Sequence, residues 1–203
     1  MTQKLDYLKE TASQTAGPYV HIGLAPGAAG FKTFDQELGQ VIAGPDVPGE
    51  RIRVEGVVLD GTGSPVKDVL LEVWQADSNG IYPHPEDPRH ALVAKGFRGW
   101  GRVITDFDTG VWSFDTIKPG ATPGRAGRTQ SPHISFWLVA RGINIGLHTR
   151  MYFPQDDHTA DPVLTSVEQL ARRQTLIAMQ TGPGTYRFDI RLQGEGETVF
   201  IDV

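Results

Sequence analysis

RIRVEGVVL at residues 51–59, DGTGSP at 60–65 and VKDVLLEVWQA at 66–76 form the stretch on which the fold turns. The two outer runs are short, rich in β-branched residues and bounded by turn-formers, so each reads as a strand. The central Asp60-Gly61-Thr62-Gly63-Ser64-Pro65 reads as a hairpin turn, since glycine supplies positive φ without steric cost. Working outward, the same pattern recurs. Strands are expected near 102–107 and 111–116, flanking Asp108-Thr109-Gly110. Another pair, 132–140 and 143–153, flanks Arg141-Gly142, and the chain closes with strands near 185–192 and 198–203. The 24 Gly and 14 Pro that punctuate these runs argue for an all-β chain folded as a single β-sandwich of mostly antiparallel strands. The expected helices are one or two short ones. Thr165-Ser166-Val167-Glu168 has the form of a capping box ahead of an apolar helical face, and a weaker helix is expected over 34–42.

Composition excludes several classes. The 203 residues suffice for one β domain with a buried core. A net charge of -5 without a basic cluster argues against nucleic-acid binding. No apolar run approaches the ~20 residues a membrane helix needs, and the N-terminus lacks the apolar segment of a signal peptide. With no cysteine there is neither disulfide nor thiolate metal site, which suits a cytoplasmic protein. The Gly-, Ala- and Pro-rich start divides the chain into an arm, residues 1–32, expected to contact a partner subunit, and the sandwich domain, 33–203.

Four segments carry a resemblance. They are Leu71-Glu72-Val73-Trp74-Gln75-Ala76-Asp77 with Gly80 and Tyr82; Phe114-Asp115-Thr116-Ile117-Lys118-Pro119-Gly120; Ser131-Pro132-His133-Ile134-Ser135-Phe136; and Thr149-Arg150-Met151-Tyr152-Phe153. In this order they resemble the intradiol ring-cleaving dioxygenases. Two further pieces, Ser13 to Tyr19 and Arg187 to Phe200, resemble the branch of that family built from two homologous chains. The resemblance implies O2-dependent opening of a catechol ring between its two hydroxyl-bearing carbons. The metal would be a ferric ion (Fe3+) held by two tyrosinates and two histidines, hard ligands and imidazoles suited to a hard cation. Two histidines at i and i+2 of a strand share a face and can reach one ion.

Here that ligand set is degenerate. Tyr82 matches the first tyrosine and His133 the first histidine, but Thr122 and Ser135 stand at the other two positions. Neutral hydroxyls replace a tyrosinate and an imidazole, so tight ferric binding by this chain is not expected. The two-chain branch implies the rest: the iron sits on a homologous beta subunit, the substrate is protocatechuate (3,4-dihydroxybenzoate), and the chains form a higher hetero-oligomer. It also implies that Thr15, Gly17, Pro18, Tyr19 and Arg141 of this chain wall the substrate pocket, with the Arg141 fork suited to a carboxylate.

Competing readings rest on other residues. Arg53 to Asp60 with Ser64-Pro65-Val66 also resembles prealbumin-like sandwich modules that bind or connect without catalysis. A self-sufficient dioxygenase would need replacement ligands such as His148 or His84. The cluster His84, Glu86, Asp87, His90 is interleaved with Pro83, Pro85 and Pro88, and its spacing fits no single face, so it reads as a solvated loop. His148, Arg150 and Tyr152 share a strand face and read as a hydrogen-bonded ladder.

Overall fold

The computed structural model describes residues 14–202. Eleven strands and two short α-helices appear in it: α1 Pro18–Leu24, β1 Arg51–Leu59, β2 Leu70–Trp74, β3 Trp100–Ile104, β4 Val111–Ile117, β5 Thr122–Pro123, β6 Thr129–Gln130, β7 His133–Val139, β8 Leu147–Tyr152, α2 Leu170–Arg173, β9 Met179–Gly182, β10 Thr185–Arg187 and β11 Ile190–Arg191. In one sheet β1 is central. It pairs antiparallel with β4 along one edge and parallel with β10 and β11 along the other, and β9 closes beyond β10. The other sheet runs β3-β2-β7-β8, antiparallel throughout. A two-stranded ribbon, β5-β6, lies outside both.

Inward residues of the two sheets fill the space between them, as alternation along strands requires. Ile52, Val54 and Val58 of β1 face Leu71, Val73, Ile134, Phe136 and Leu138, all buried. Aromatic rings dominate the middle: Phe136 lies 5.5 Å from both Trp112 and Phe188. Gly56 is required there. A Cβ on it would lie 2.1 Å from the Phe188 carbonyl oxygen and 2.7 Å from the Trp112 ring.

Several expectations need correction. The turn after β1 does close locally, with the Val66 amide donating to the Val58 carbonyl at 2.8 Å, but it is not a hairpin between paired strands. Lys67 and Asp68 carry the chain across to the other sheet, so β1 and β2 face each other through the core. The expected helix over 34–42 is absent; Gly39 there sits at φ 84, and its carbonyl accepts from the Arg102 amide. The capping box at Thr165 does not form. Asp161 caps instead, its carboxylate accepting the Val163 and Leu164 amides, while the Thr165 hydroxyl donates back to the Asp161 carbonyl. One 3-10 turn follows, then extended backbone at Val167, and α2 is only four residues long. Residues 198–202 run beside β8 with scattered bonds rather than as a strand: Ile201 donates to the His148 carbonyl and Thr149 to the Val199 carbonyl.

Candidate functional site

The segment after β2 and the segment after β4 interlock through their backbones. Gln75 joins the sheets, donating to the Ile117 carbonyl at 2.9 Å and accepting from the Thr116 hydroxyl at 2.8 Å. Asp77 folds the next turn by accepting the Asn79 and Ile81 amides, and its carbonyl takes the Gly120 amide. Gly80 has φ 71, and a Cβ there would meet the Ala121 carbonyl oxygen at 1.8 Å. This backbone contact delivers Tyr82 to Thr122, which lies in β5. From the other side β7 presents His133 on its outer face, and the Tyr82 hydroxyl and His133 Nε2 are 3.2 Å apart. Ser135 lies two residues on, directly opposite Trp74 of β2 and Arg150 of β8.

The four positions that the resemblance assigns to metal ligands therefore do converge, but the groups present do not fit a ferric ion. His133 Nδ1 faces the Ser131 carbonyl at 2.8 Å, which can only accept, so Nδ1 bears the proton and Nε2 accepts from Tyr82. The two surviving ligand atoms are spent on each other. Thr122 is buried and its Oγ1 has no hydrogen-bond partner. Burial pushes the Tyr82 hydroxyl above the ordinary phenol value, against the pull of the Arg150 charge, so the neutral phenol is favoured. Burial, seconded by Arg150, holds His133 down to about 4. Among the described residues no three His, Asp or Glu side chains gather to hold a metal. His84 packs edge-on to the Trp74 ring, and Asp87 is tied to Arg89 at 2.9 Å, so neither completes a ligand set. His148 is exposed on β8. Of the expected ladder of His148, Arg150 and Tyr152, His148 stands apart, while Arg150 acts on Tyr152; Arg150 also donates to Gln130 and Tyr152 to Asp161.

A second site lies at the other end of the same sheet. β2 pairs with β7 from Trp74 opposite Ser135 to Leu70 opposite Val139, a span of about 13 Å at 3.3 Å per residue. Beyond Leu70 opens a cleft of about 1010 Å³, lined among others by His21, Phe31, Asp68, Phe107, Arg141 and Ile143. Thr15 ties the arm to it. Its hydroxyl donates to the Ala140 carbonyl at 3.2 Å and accepts the Gly142 amide at 2.7 Å. Thus Thr15 and Arg141, 126 positions apart in sequence, are brought to one place. Gly17 caps α1, which opens with Pro18, and Tyr19 is 85% exposed. Arg141 projects outward and pairs with Asp68 at 2.5 Å.

His21 and Asp68 are cleft residues that sequence reasoning missed. The His21 ring is buried, edge-on to Phe107, and Nε2 has no partner. Burial lowers its pKa; Asp68 opposes this and Arg141 adds to it. The only available signal was position: His21 follows the arm motif by two residues. Residues 1–13 of the arm, including Ser13, lie outside the described residues.

Comparison with known proteins supplies the family. Residues 26–194 match the family described as dioxygenase. The chain is 52% identical to the protocatechuate 3,4-dioxygenase alpha chain of Pseudomonas putida, covering 98% of both chains. It is 38% identical to the protocatechuate 3,4-dioxygenase beta chain of Burkholderia cepacia, over 85% of this chain and 77% of that one. Among solved structures, the dioxygenase domain of a carbohydrate-binding fusion from Streptomyces sp. SirexAA-E superposes with a TM-score of 0.53 at 25% identity, covering 83% of this chain and 96% of that one. A fold, a set of interlocked motifs and relatives over nearly its whole length agree: the chain belongs to the intradiol ring-cleavage dioxygenases, beside their protocatechuate 3,4-dioxygenase alpha chains.

Proposed function

We infer that this chain is the metal-free alpha subunit of a complex that cleaves protocatechuate with O2 to 3-carboxy-cis,cis-muconate, the ferric ion residing on a homologous beta subunit. The observation that carries this is the Tyr82–His133 hydrogen bond: the groups that would bind a metal bind each other. The chain's contribution is then architectural and recognitive. Residues 1–32 serve as an arm against the beta subunit, and Thr15, Gly17, Pro18, Tyr19 and Arg141 face the substrate. The arm's hold on the Arg141 turn through Thr15 supports this, because it makes one surface of both segments. Arg141 meets the substrate carboxylate, exchanging part of its pairing with Asp68 for it. The absence of cysteine suits a cytoplasmic setting. Among the described residues no helix is long and apolar enough to cross a membrane.

Iron analysis and visible spectra of the chain purified alone, and of the chain co-expressed with its beta subunit, test this. The chain alone is expected to be colourless, iron-free and inactive, and the pair iron-loaded and active. A coloured, iron-bearing, active single chain overturns the reading.

A further inference from the structure

We propose that the Arg150 guanidinium holds the place of a metal ion beside Tyr82 and His133, and that this built-in cation excludes metals from the site. The inference rests on the reading of Tyr82, Thr122, His133 and Ser135 as former ligand positions, and asks what fills the space they enclose.

The register gives the first part of the answer. Arg150 of β8 is directly opposite Ser135 of β7, as Tyr152 is opposite His133. Cross-strand partners share a face, with Cβ atoms about 5 Å apart. Arg150 therefore rises on the same outer face as His133 and Ser135. Serine is too short to occupy the room an imidazole would need at position 135. The second part is where the guanidinium goes. Its Nη1 donates to Gln130 Oε1 at 2.5 Å, and Gln130 of β6 pairs directly with Thr122 of β5. The side chain thus leaves β8 beside Ser135 and ends at the ribbon that carries Thr122. Its root is the cross-strand neighbour of one position at which a hydroxyl replaces a metal ligand, and its tip binds the strand neighbour of the other.

Charge completes the argument. A guanidinium is protonated at any working pH and supplies one fixed positive charge. The buried Asp161, which accepts the Tyr152 hydroxyl at 3.1 Å and the Ser131 amide at 2.7 Å, is an acid of the same network. The site therefore already holds a cation. A ferric ion entering it would meet like charge at short range. Loss of two ligands and gain of Arg150 are separate barriers, and replacing the ligands removes only one.

The test uses the full chain with ferric nitrilotriacetate as iron source, read by bound iron and visible absorbance, with circular dichroism to confirm folding. Thr122→Tyr with Ser135→His is expected to bind iron weakly. Adding Arg150→Met is expected to tighten binding by about tenfold or more and bring up colour, whereas adding Arg150→Lys, which retains the charge, is expected not to. If the double variant binds as tightly as the Met triple, or the Lys triple matches the Met triple, Arg150 is not the barrier. If the Met triple is folded and takes up no iron, the assignment of the four ligand positions fails instead. Should the triple variants not fold, Arg150→Ala alone carries the test. Zinc chloride, whose ion accepts imidazole and oxygen ligands, is expected to raise its melting temperature and leave that of the unaltered chain unchanged; equal responses overturn the proposal.

Discussion

His133 is buried with one ring nitrogen donating to Ser131 and the other accepting from Tyr82, so it has no room for a second proton. Its folded pKa, about 4, lies below the 6.5 of a free imidazole. Between those values the unfolded chain binds a proton that the folded chain does not. Stability therefore falls as pH drops from 6.5 toward 4, by on the order of 3 kcal/mol in total, and is flat above 6.5. Urea unfolding from pH 4 to 8, compared with the non-titrating His133→Asn, checks this: the difference between the two proteins is expected to grow in favour of the unaltered chain as pH rises through that window. A pH-independent difference removes His133 from the account. Arg141 is the contrasting case. Its side chain is 71% exposed and shares its charge with Asp68, so the pair itself contributes little to folding. Its expected effect is on substrate. Arg141→Ala in the complex is predicted to lower kcat/KM for protocatechuate by about 5- to 30-fold, on the order of 1–2 kcal/mol. Catechol, which has no carboxylate, should lose little. Equal losses on both would assign Arg141 to structure.

At the level of elements, a tight constraint within the sandwich is the passage of β1 beside the aromatic core at Gly56. A methyl group there meets the Phe188 carbonyl and the Trp112 ring, and neither can move without shifting a strand. Gly56→Ala is expected to destabilise by about 3 kcal/mol, read as a drop in urea midpoint at unchanged slope; a loss under 1 kcal/mol would mean that β1 and β11 separate easily. Local pattern made the strands legible. The run 51–59 is β1 as observed, and 111–116 differs from β4 by one residue, because β-branched runs bounded by glycine have few other uses. Pairing was not legible. The turns after Leu59 and at Asp108 look like hairpins because their hydrogen bonds are hairpin-like, but the chain crosses between sheets at both, and which sheet a strand joins depends on burial of both its neighbours. The candidate site was legible in the same partial way. The motifs name Tyr82, Thr122, His133 and Ser135, and the structure brings Tyr82 and His133 within 3.2 Å. What could not be placed was Arg150, because its relation to Ser135 exists only in the β7–β8 register.

The whole molecule distributes its apolar surface unevenly. Among the described residues thirteen large hydrophobic residues are left exposed, and seven of them lie between Tyr19 and Val41, including Phe31, Phe34 and Leu38, each more than half exposed. The rest are scattered singly over the domain, as on any soluble surface. The arm is held to its own sandwich by polar contacts, Thr15 to the Arg141 turn and Arg102 to the Leu24 carbonyl at 2.8 Å, rather than by burying these side chains. Burial of these side chains by the beta subunit is what the proposed function predicts. Permanent subunit interfaces are more apolar than ordinary surface and draw most of their free energy from a few well-buried aromatic and aliphatic anchors. Phe34→Asp with Leu38→Asp is therefore expected to leave the chain's own unfolding within about 0.5 kcal/mol, since neither side chain is in the core. Association with the beta subunit should weaken by about a hundredfold or more, since two hot-spot losses of this kind commonly exceed 2 kcal/mol. Leu170→Asp with Met179→Asp is the control, equally exposed residues on the far stretch of the chain, 70% and 60%. Co-purification and sedimentation of the two pairs decide between general apolar stickiness and a located interface. If both pairs weaken assembly alike, or the Phe34 and Leu38 pair leaves it intact, the partner is not docked on residues 19–41.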